Sequence, residues 1–196
     1  MEQVRSFIAI DLPAGLKLEL TQLQARLKTG NTPGIKWVKP DGMHLTLKFL
    51  GNVAAAKIDE ITRAMTAAAR EVSPFHLAVE RLGVFPSLKR VQVVWVGLGG
   101  GVAKLERLYR LLETNLARLG FAPESRPFKP HLTLARLGNK VLAEERQSLG
   151  RLIAGTGLEI SVTIEADAVS LIRSQLTREG AIYSRISSAE LGQGGA

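Results

Sequence analysis

The sequence predicts an α+β fold of two pseudo-symmetric lobes, each with an antiparallel sheet and helices, facing a central cleft. Three observations predict it. The octapeptide His44-Leu45-Thr46-Leu47-Lys48-Phe49-Leu50-Gly51 returns as His131-Leu132-Thr133-Leu134-Ala135-Arg136-Leu137-Gly138, altered only at its fifth and sixth positions. The segments around each copy follow one grammar of strand, helix, proline-containing approach, motif strand and helix, which implies an internal duplication. The length of 196 residues suits one large domain or two small lobes. Residues 1–196 are therefore expected to form a single two-lobed domain, with 187–196, small and polar, as a frayed tail.

Residues 4–11 read as a strand, and Pro13 opens a helix in which Leu16, Leu20, Leu23 and Leu27 recur at helical spacing. Residues 28–34 break that helix, Trp37-Val38 forms a short strand, and Pro40-Asp41-Gly42 turns the chain into the first motif strand. Residues 57–72 have alanine-rich helical character that ends at Pro74. Strands at 75–82 and 90–96 follow, joined through 83–89. The glycines of 97–101 form a flexible connection into a leucine-periodic helix over 104–119. A proline-rich approach, 123–130, leads to the second motif strand, and 142–153 supplies another helix. The last strands are expected at 159–164, 168–173 and 181–186, with Arg178-Glu179-Gly180 as the turn between the final two.

The charge balance is 26 Lys and Arg against 18 Asp and Glu, a net +8 that attracts anionic partners, nucleic acid first among them. Two Trp, two Tyr and six Phe are too few for an extended base-stacking platform, so a small site gripping one phosphate fits better. With no cysteine there is no disulfide framework or thiolate metal site, in keeping with a reducing cytoplasm. The opening residues lack the apolar core of a secretory signal, and no stretch approaches the ~18 apolar residues of a membrane span. A cytoplasmic monomer without membrane association is the expectation.

Alternation along a strand puts His44 and Thr46 on one face and Leu45 and Leu47 on the other, and likewise His131 and Thr133 against Leu132 and Leu134. Two imidazoles and two hydroxyls, without a carboxylate or thiol, suit proton transfer around an anion. A neutral imidazole accepts a proton from an attacking water or hydroxyl; a charged one protonates the departing oxygen. Thr46 and Thr133 are expected to donate to non-bridging phosphate oxygens, their β-branched side chains holding the hydroxyls in fixed directions. Lys48 shares the parity of His44 and Thr46, so it is a candidate substrate contact or a rim residue. Strict alternation places Arg136 on the leucine face, from which it reaches the cleft only if the strand has ended or twisted. His76 has no threonine two residues on and reads as a polar-face residue. Gly97-Leu98-Gly99-Gly100-Gly101 lacks both the dinucleotide-binding spacing and the Lys-Ser/Thr of a phosphate loop. The motif histidines lack the third protein ligand that catalytic zinc usually takes, so no metal site is expected.

Beyond these features, the two His-x-Thr-Leu copies, Trp37-Val38, the motif through Gly51, Leu82-Gly83-Val84-Phe85-Pro86 and Phe128-Lys129-Pro130 before His131 together resemble the RNA 2′,3′-cyclic phosphodiesterases of the two-histidine phosphoesterase superfamily, historically called 2′-5′ RNA ligases. The resemblance runs through Tyr183. Lys129 departs from it, standing where many relatives carry a small polar residue. It implies an enzyme without metal or cofactor that opens an RNA 2′,3′-cyclic phosphate end to a 2′-phosphate. His44 would donate a proton to the leaving 3′-oxygen and His131 would activate water, an assignment the residues alone do not make. Attack by an RNA 5′-hydroxyl in place of water would give weak, reversible 2′-5′ ligation. Arg136 matches a phosphate-holding arginine of the family, for which a guanidinium fork is suited, and Phe7 a position beside its base-binding cleft, although as a residue it also reads as plain core. The alternatives are the same chemistry on small cyclic nucleotides or an ADP-ribose cyclic phosphate, and a non-catalytic module that binds RNA ends.

Overall fold

The computed structural model describes residues 2–28, 33–177 and 180–192. Its strands are β1 Gln3–Asp11, β2 Ile35–Trp37, β3 His44–Ala54, β4 Phe75–Phe85, β5 Val93–Gly100, β6 His131–Leu137, β7 Ile164–Ala166, β8 Ala168–Thr177 and β9 Gly180–Glu190. The helices are α1 Ala14–Leu27, α2 Ile58–Arg70, α3 Val102–Ala117 and α4 Ala143–Gly155. They build two antiparallel sheets, one of order β3-β1-β8-β9 and one of order β2-β6-β5-β4-β7. The fold is α+β, as its sequence pattern predicts.

Each motif strand pairs with the strand that opens its own half of the chain: β3 with β1, and β6 with β5. The next neighbour comes from the opposite half. β4, which ends the first half, pairs with β5, and β8 from the second half pairs with β1. The helices cross over as well: α3 packs on β3, while α1 packs against α4, which lies on β4. Leucines at helical spacing make this possible, because Leu16, Leu20, Leu23 and Leu27 of α1 and Leu105, Leu108, Leu112 and Leu116 of α3 are all buried. These residues join Leu45, Leu47, Leu132 and Leu134 of the motif strands in one apolar cluster fed by both sheets. Each such leucine contributes about 1.5–3 kcal/mol by leaving water.

Four expectations need correction. The glycines of 97–100 are not a connection but the end of β5, paired with residues 77–81 of β4, and α3 begins directly after them. A glycine-rich stretch stays extended here because the ladder hydrogen bonds need only backbone. β4 runs on to Phe85 through the supposed connection. The strand expected at 159–164 is confined to Ile164–Ala166, where pairing with β4 is available. Residues 187–190 are not frayed: β9 continues to Glu190 against β8, and Ala189 and Leu191 are buried. Residues 193–196, most of the break at 28–34, and Arg178 and Glu179 of the last turn lie outside the described residues. Among the described residues no helix is long and apolar enough to cross a membrane.

Candidate active site

The two motifs share more than their residues. In β3 the register slips between Thr46, opposite Ala9, and Lys48, opposite Ile8, leaving Leu47 unpaired. In β6 it slips identically between Thr133, opposite Trp95, and Ala135, opposite Val94, leaving Leu134 unpaired. Each is a β-bulge, and a bulge reverses the alternation of every residue beyond it. The carbonyl of Leu134 accepts from the Val38 N–H at 2.9 Å and from the buried Gln24 amide, also at 2.9 Å, so this bulge is held from α1.

The slip decides the fate of the downstream side chains. Arg136 returns to the face of His131 and Thr133 and is exposed, while Ala135 and Leu137 are buried. Its place on the face of the motif histidine therefore comes from the bulge rather than from the end of the strand. Lys48 is a correction in the opposite sense: it leaves the histidine face, is 4% exposed, and lies 2.8 Å from Glu113 on α3. Its ammonium also donates to the Ala122 carbonyl at 2.7 Å, and Glu113 accepts the Glu124 N–H at 2.9 Å. Lys48 thus ties β3 to α3 and to the approach of β6 instead of meeting substrate. Phe49 takes its place on the histidine face and is 61% exposed.

A backbone carbonyl two residues upstream acts on each motif imidazole. The Nδ1 of His131 lies 2.6 Å from the Lys129 carbonyl, and because a carbonyl only accepts, Nδ1 carries the hydrogen and Nε2 is left free. For His44 the Gly42 carbonyl, also two residues upstream, favours the charged ring. Aromatic rings then bracket each imidazole. Phe7 stacks on His44 with centroids 4.5 Å apart and Tyr183 meets its edge at 5.3 Å. Phe85 and Trp95 stand edge-on to His131 at 5.4 and 6.3 Å. Phe7 is therefore not part of the main core: it belongs to a small separate cluster with Ala9, Ile172 and Tyr183.

Burial under these rings pushes the His44 imidazole down to about 4, since removal from water penalises its charged form. Asp11, directly opposite in the register, and the Gly42 carbonyl oppose the shift, whereas Lys17 reinforces it. Asp11 is itself held by Arg185 at 2.7 Å and by the Ser170 hydroxyl at 3.1 Å. Thr46 and Thr133 are half-buried, and the described residues form no hydrogen bond to either hydroxyl. His76 is exposed on β4. Among the described residues no three His, Cys, Asp or Glu side chains gather where they could share a metal ion.

Sequence reasoning did not single out Tyr183, Phe85, Trp95 or Asp11. Asp11 and Phe7 share a parity along β1 that pointed to a common face, but only the β1–β3 register sets that face beside His44. The family resemblance runs through Tyr183, but no parity argument sets it beside His44, for it arrives from β9 at the far edge of the sheet.

The model of the LigT-like phosphoesterase family matches this chain twice, over residues 10–95 and 99–183. An RNA 2′,3′-cyclic phosphodiesterase of Methanothermobacter thermautotrophicus is 34% identical over 183 residues, covering 93% of this chain and 96% of that protein. Another of that name, from Aeropyrum pernix, is 35% identical over 152 residues, covering 78% and 84%. The crystal structure of E. coli LigT complexed with 3′-AMP superposes with a TM-score of 0.79 at 26% identity, covering 98% of this chain and 100% of that one. The duplicated match brackets both histidine strands, and with relatives of this similarity along nearly the whole chain, the protein belongs to the LigT-like phosphoesterase family.

Proposed function

We propose that this chain is an RNA 2′,3′-cyclic phosphodiesterase that opens the cyclic phosphate at an RNA end to a 2′-phosphate. The observation that carries the reading is the duplicated catalytic kit: an imidazole with a backbone carbonyl two residues upstream acting on it, a threonine hydroxyl without a hydrogen-bond partner among the described residues, and a bulge between them and the next residue on the same face. Relatives along nearly the whole chain bear that activity in their names.

In this reading, His131 Nε2 accepts a proton from water as the water oxygen bonds to phosphorus. The bond from phosphorus to the 3′-oxygen breaks, and that oxygen takes a proton from His44. Thr46 and Thr133 donate to the non-bridging oxygens on which charge accumulates. His44 must be charged to act as donor, although burial favours its neutral form in the free protein. A phosphate seated beside it adds negative charge in the same sense as Asp11 and raises its pKa, so substrate itself arms the acid. Arg136 supplies a further cation on the His131 face, and Phe7 lines the His44 side. A 5′-hydroxyl in place of water would form a 2′-5′ linkage by the same path, weakly and reversibly because no nucleotide is consumed.

The test is incubation of a short RNA ending in a 2′,3′-cyclic phosphate with purified protein in EDTA, alongside His44→Ala and His131→Ala. Wild type should release the 2′-phosphate product, and each variant should lose about 10²- to 10⁴-fold, the usual worth of one acid or base. Full activity in both variants would overturn the assignment. Turnover confined to small cyclic nucleotides would replace RNA as the substrate.

A further inference from the structure

The site face of the β2-β6-β5-β4-β7 sheet carries a cation that the chemistry above does not use. In the register, Arg81 of β4, Gly97 of β5 and His131 of β6 form one row across three adjacent strands. Gly97 is bare because the Arg81 side chain lies across it: a Cβ there would come 2.8 Å from Arg81 Nε and 2.9 Å from its Cγ. The guanidinium carbon then sits 5.3 Å from the centre of the Trp95 ring, the same indole that meets His131 at 6.3 Å. Trp95 is seated in turn over Gly83, where a Cβ would come 2.5 Å from the indole. Two glycines thus let an indole and an arginine lie flat on the sheet beside His131.

The arrangement is not that of a solvated surface arginine. Cation–π contact with the indole fixes the guanidinium, and the fork of donors remains available to an anion. Arg81 is exposed and has no carboxylate partner among the described residues. Glu80, at the bulge beside it, is directed over Gly99 instead and makes no ion pair with it. Two strand spacings, about 10 Å, separate the backbones of Arg81 and His131. With its side chain lying across Gly97, Arg81 carries its guanidinium along that row beside His131, where a charge neighbouring the reacting phosphate on the same ligand would meet it.

We propose that Arg81, supported by Trp95, binds a second phosphate: the phosphodiester joining the terminal nucleotide to the rest of the RNA strand. This contact makes the enzyme favour an RNA end over a free cyclic nucleotide. It rests on the reading of the site as one for RNA ends.

The test compares kcat/KM for a tetranucleotide ending in a 2′,3′-cyclic phosphate with kcat/KM for a nucleoside 2′,3′-cyclic phosphate, in wild type, Arg81→Gln and Arg81→Lys. In Arg81→Gln the ratio should fall about tenfold, the order expected for one charged hydrogen bond, with the loss in KM. Binding of the tetranucleotide carrying the product 2′-phosphate, followed by fluorescence anisotropy against salt, should lose about 0.7 from its logarithmic slope in Arg81→Gln and regain it in Arg81→Lys. An unchanged ratio and slope in Arg81→Gln, or equal losses on both substrates, would overturn the Arg81 contact alone. Failure of the wild type to turn over the tetranucleotide while it hydrolyses the nucleoside substrate would overturn the RNA reading itself.

Discussion

His44 concentrates the electrostatics of the site in one ring. Burial lowers its pKa to about 4 while Asp11 resists, so the two influences separate by mutation. Phe7→Ala opens the stacked face to water and should move the His44 titration up toward 6.5, whereas Asp11→Asn removes the opposing charge and should move it lower still; ring-proton NMR reads both. The same depression has a consequence for stability. The unfolded chain takes up the proton near 6.5 and the native protein only near 4. The stabilisation from keeping His44 neutral is therefore complete above pH 6.5 and is lost as pH falls through that window. The midpoint of thermal unfolding should decline across it more steeply in wild type than in His44→Gln, and equal slopes would show that the ring is not desolvated.

Elements are joined at the bulges, and two polar residues do the joining. Gln24 spends its amide hydrogens on the carbonyls of Val38 and Leu134, both at 2.9 Å, holding β6 in the slipped register that returns Arg136 to the histidine face. Gln24→Met keeps most of the volume but leaves those carbonyls short of a donor. It should cost about 1–3 kcal/mol in urea unfolding. On the other sheet, Lys48 and Glu113 form a buried pair that also secures Ala122 and Glu124. Removing one partner strands a charge in the interior, so Lys48→Met should cost about 3–5 kcal/mol, and the further change Glu113→Leu should recover part of it. Additive losses in the double variant would mean that the two charges do not compensate one another. The faces of Lys48 and Arg136 depart from strict alternation for one reason: alternation is a rule of uninterrupted strands, and neither octapeptide contains a glycine or proline at the bulge to announce the interruption.

At the scale of the whole molecule, the halves exchange strands and helices. β4 serves the second motif's sheet, β8 and β9 serve the first, α3 packs on β3, and α1 packs against α4 and reaches β6 through Gln24. A duplication whose copies stood apart would give two autonomous lobes; this one gives two sheets that each need both copies. Residues 1–89 and 90–196 produced as separate fragments should therefore each lack a cooperative thermal transition by circular dichroism. A folded fragment with native near-ultraviolet signal would show that one sheet can close without its borrowed strands.

The sequence by itself determined what is local. Periodicity set α1 and α3, because an apolar stripe every third or fourth residue can be buried in only one way, and alanine-rich composition marked α2. The repeated octapeptide marked both motif strands and their histidine faces, because pleating acts on neighbouring residues and both copies obey it as far as the threonine. Tertiary structure decided everything that depends on register between distant strands: the bulges that send Lys48 inward and Arg136 outward, and the rings of Phe7, Tyr183, Phe85 and Trp95 that gather about two imidazoles. It also paired the glycines of 97–100 with β4 and laid Arg81 across one of them. The physical reason is common to all of these. A side chain's face follows from its own strand, but its neighbours follow from which strands pair and with what offset, and that is settled by burial and hydrogen bonding across the whole chain.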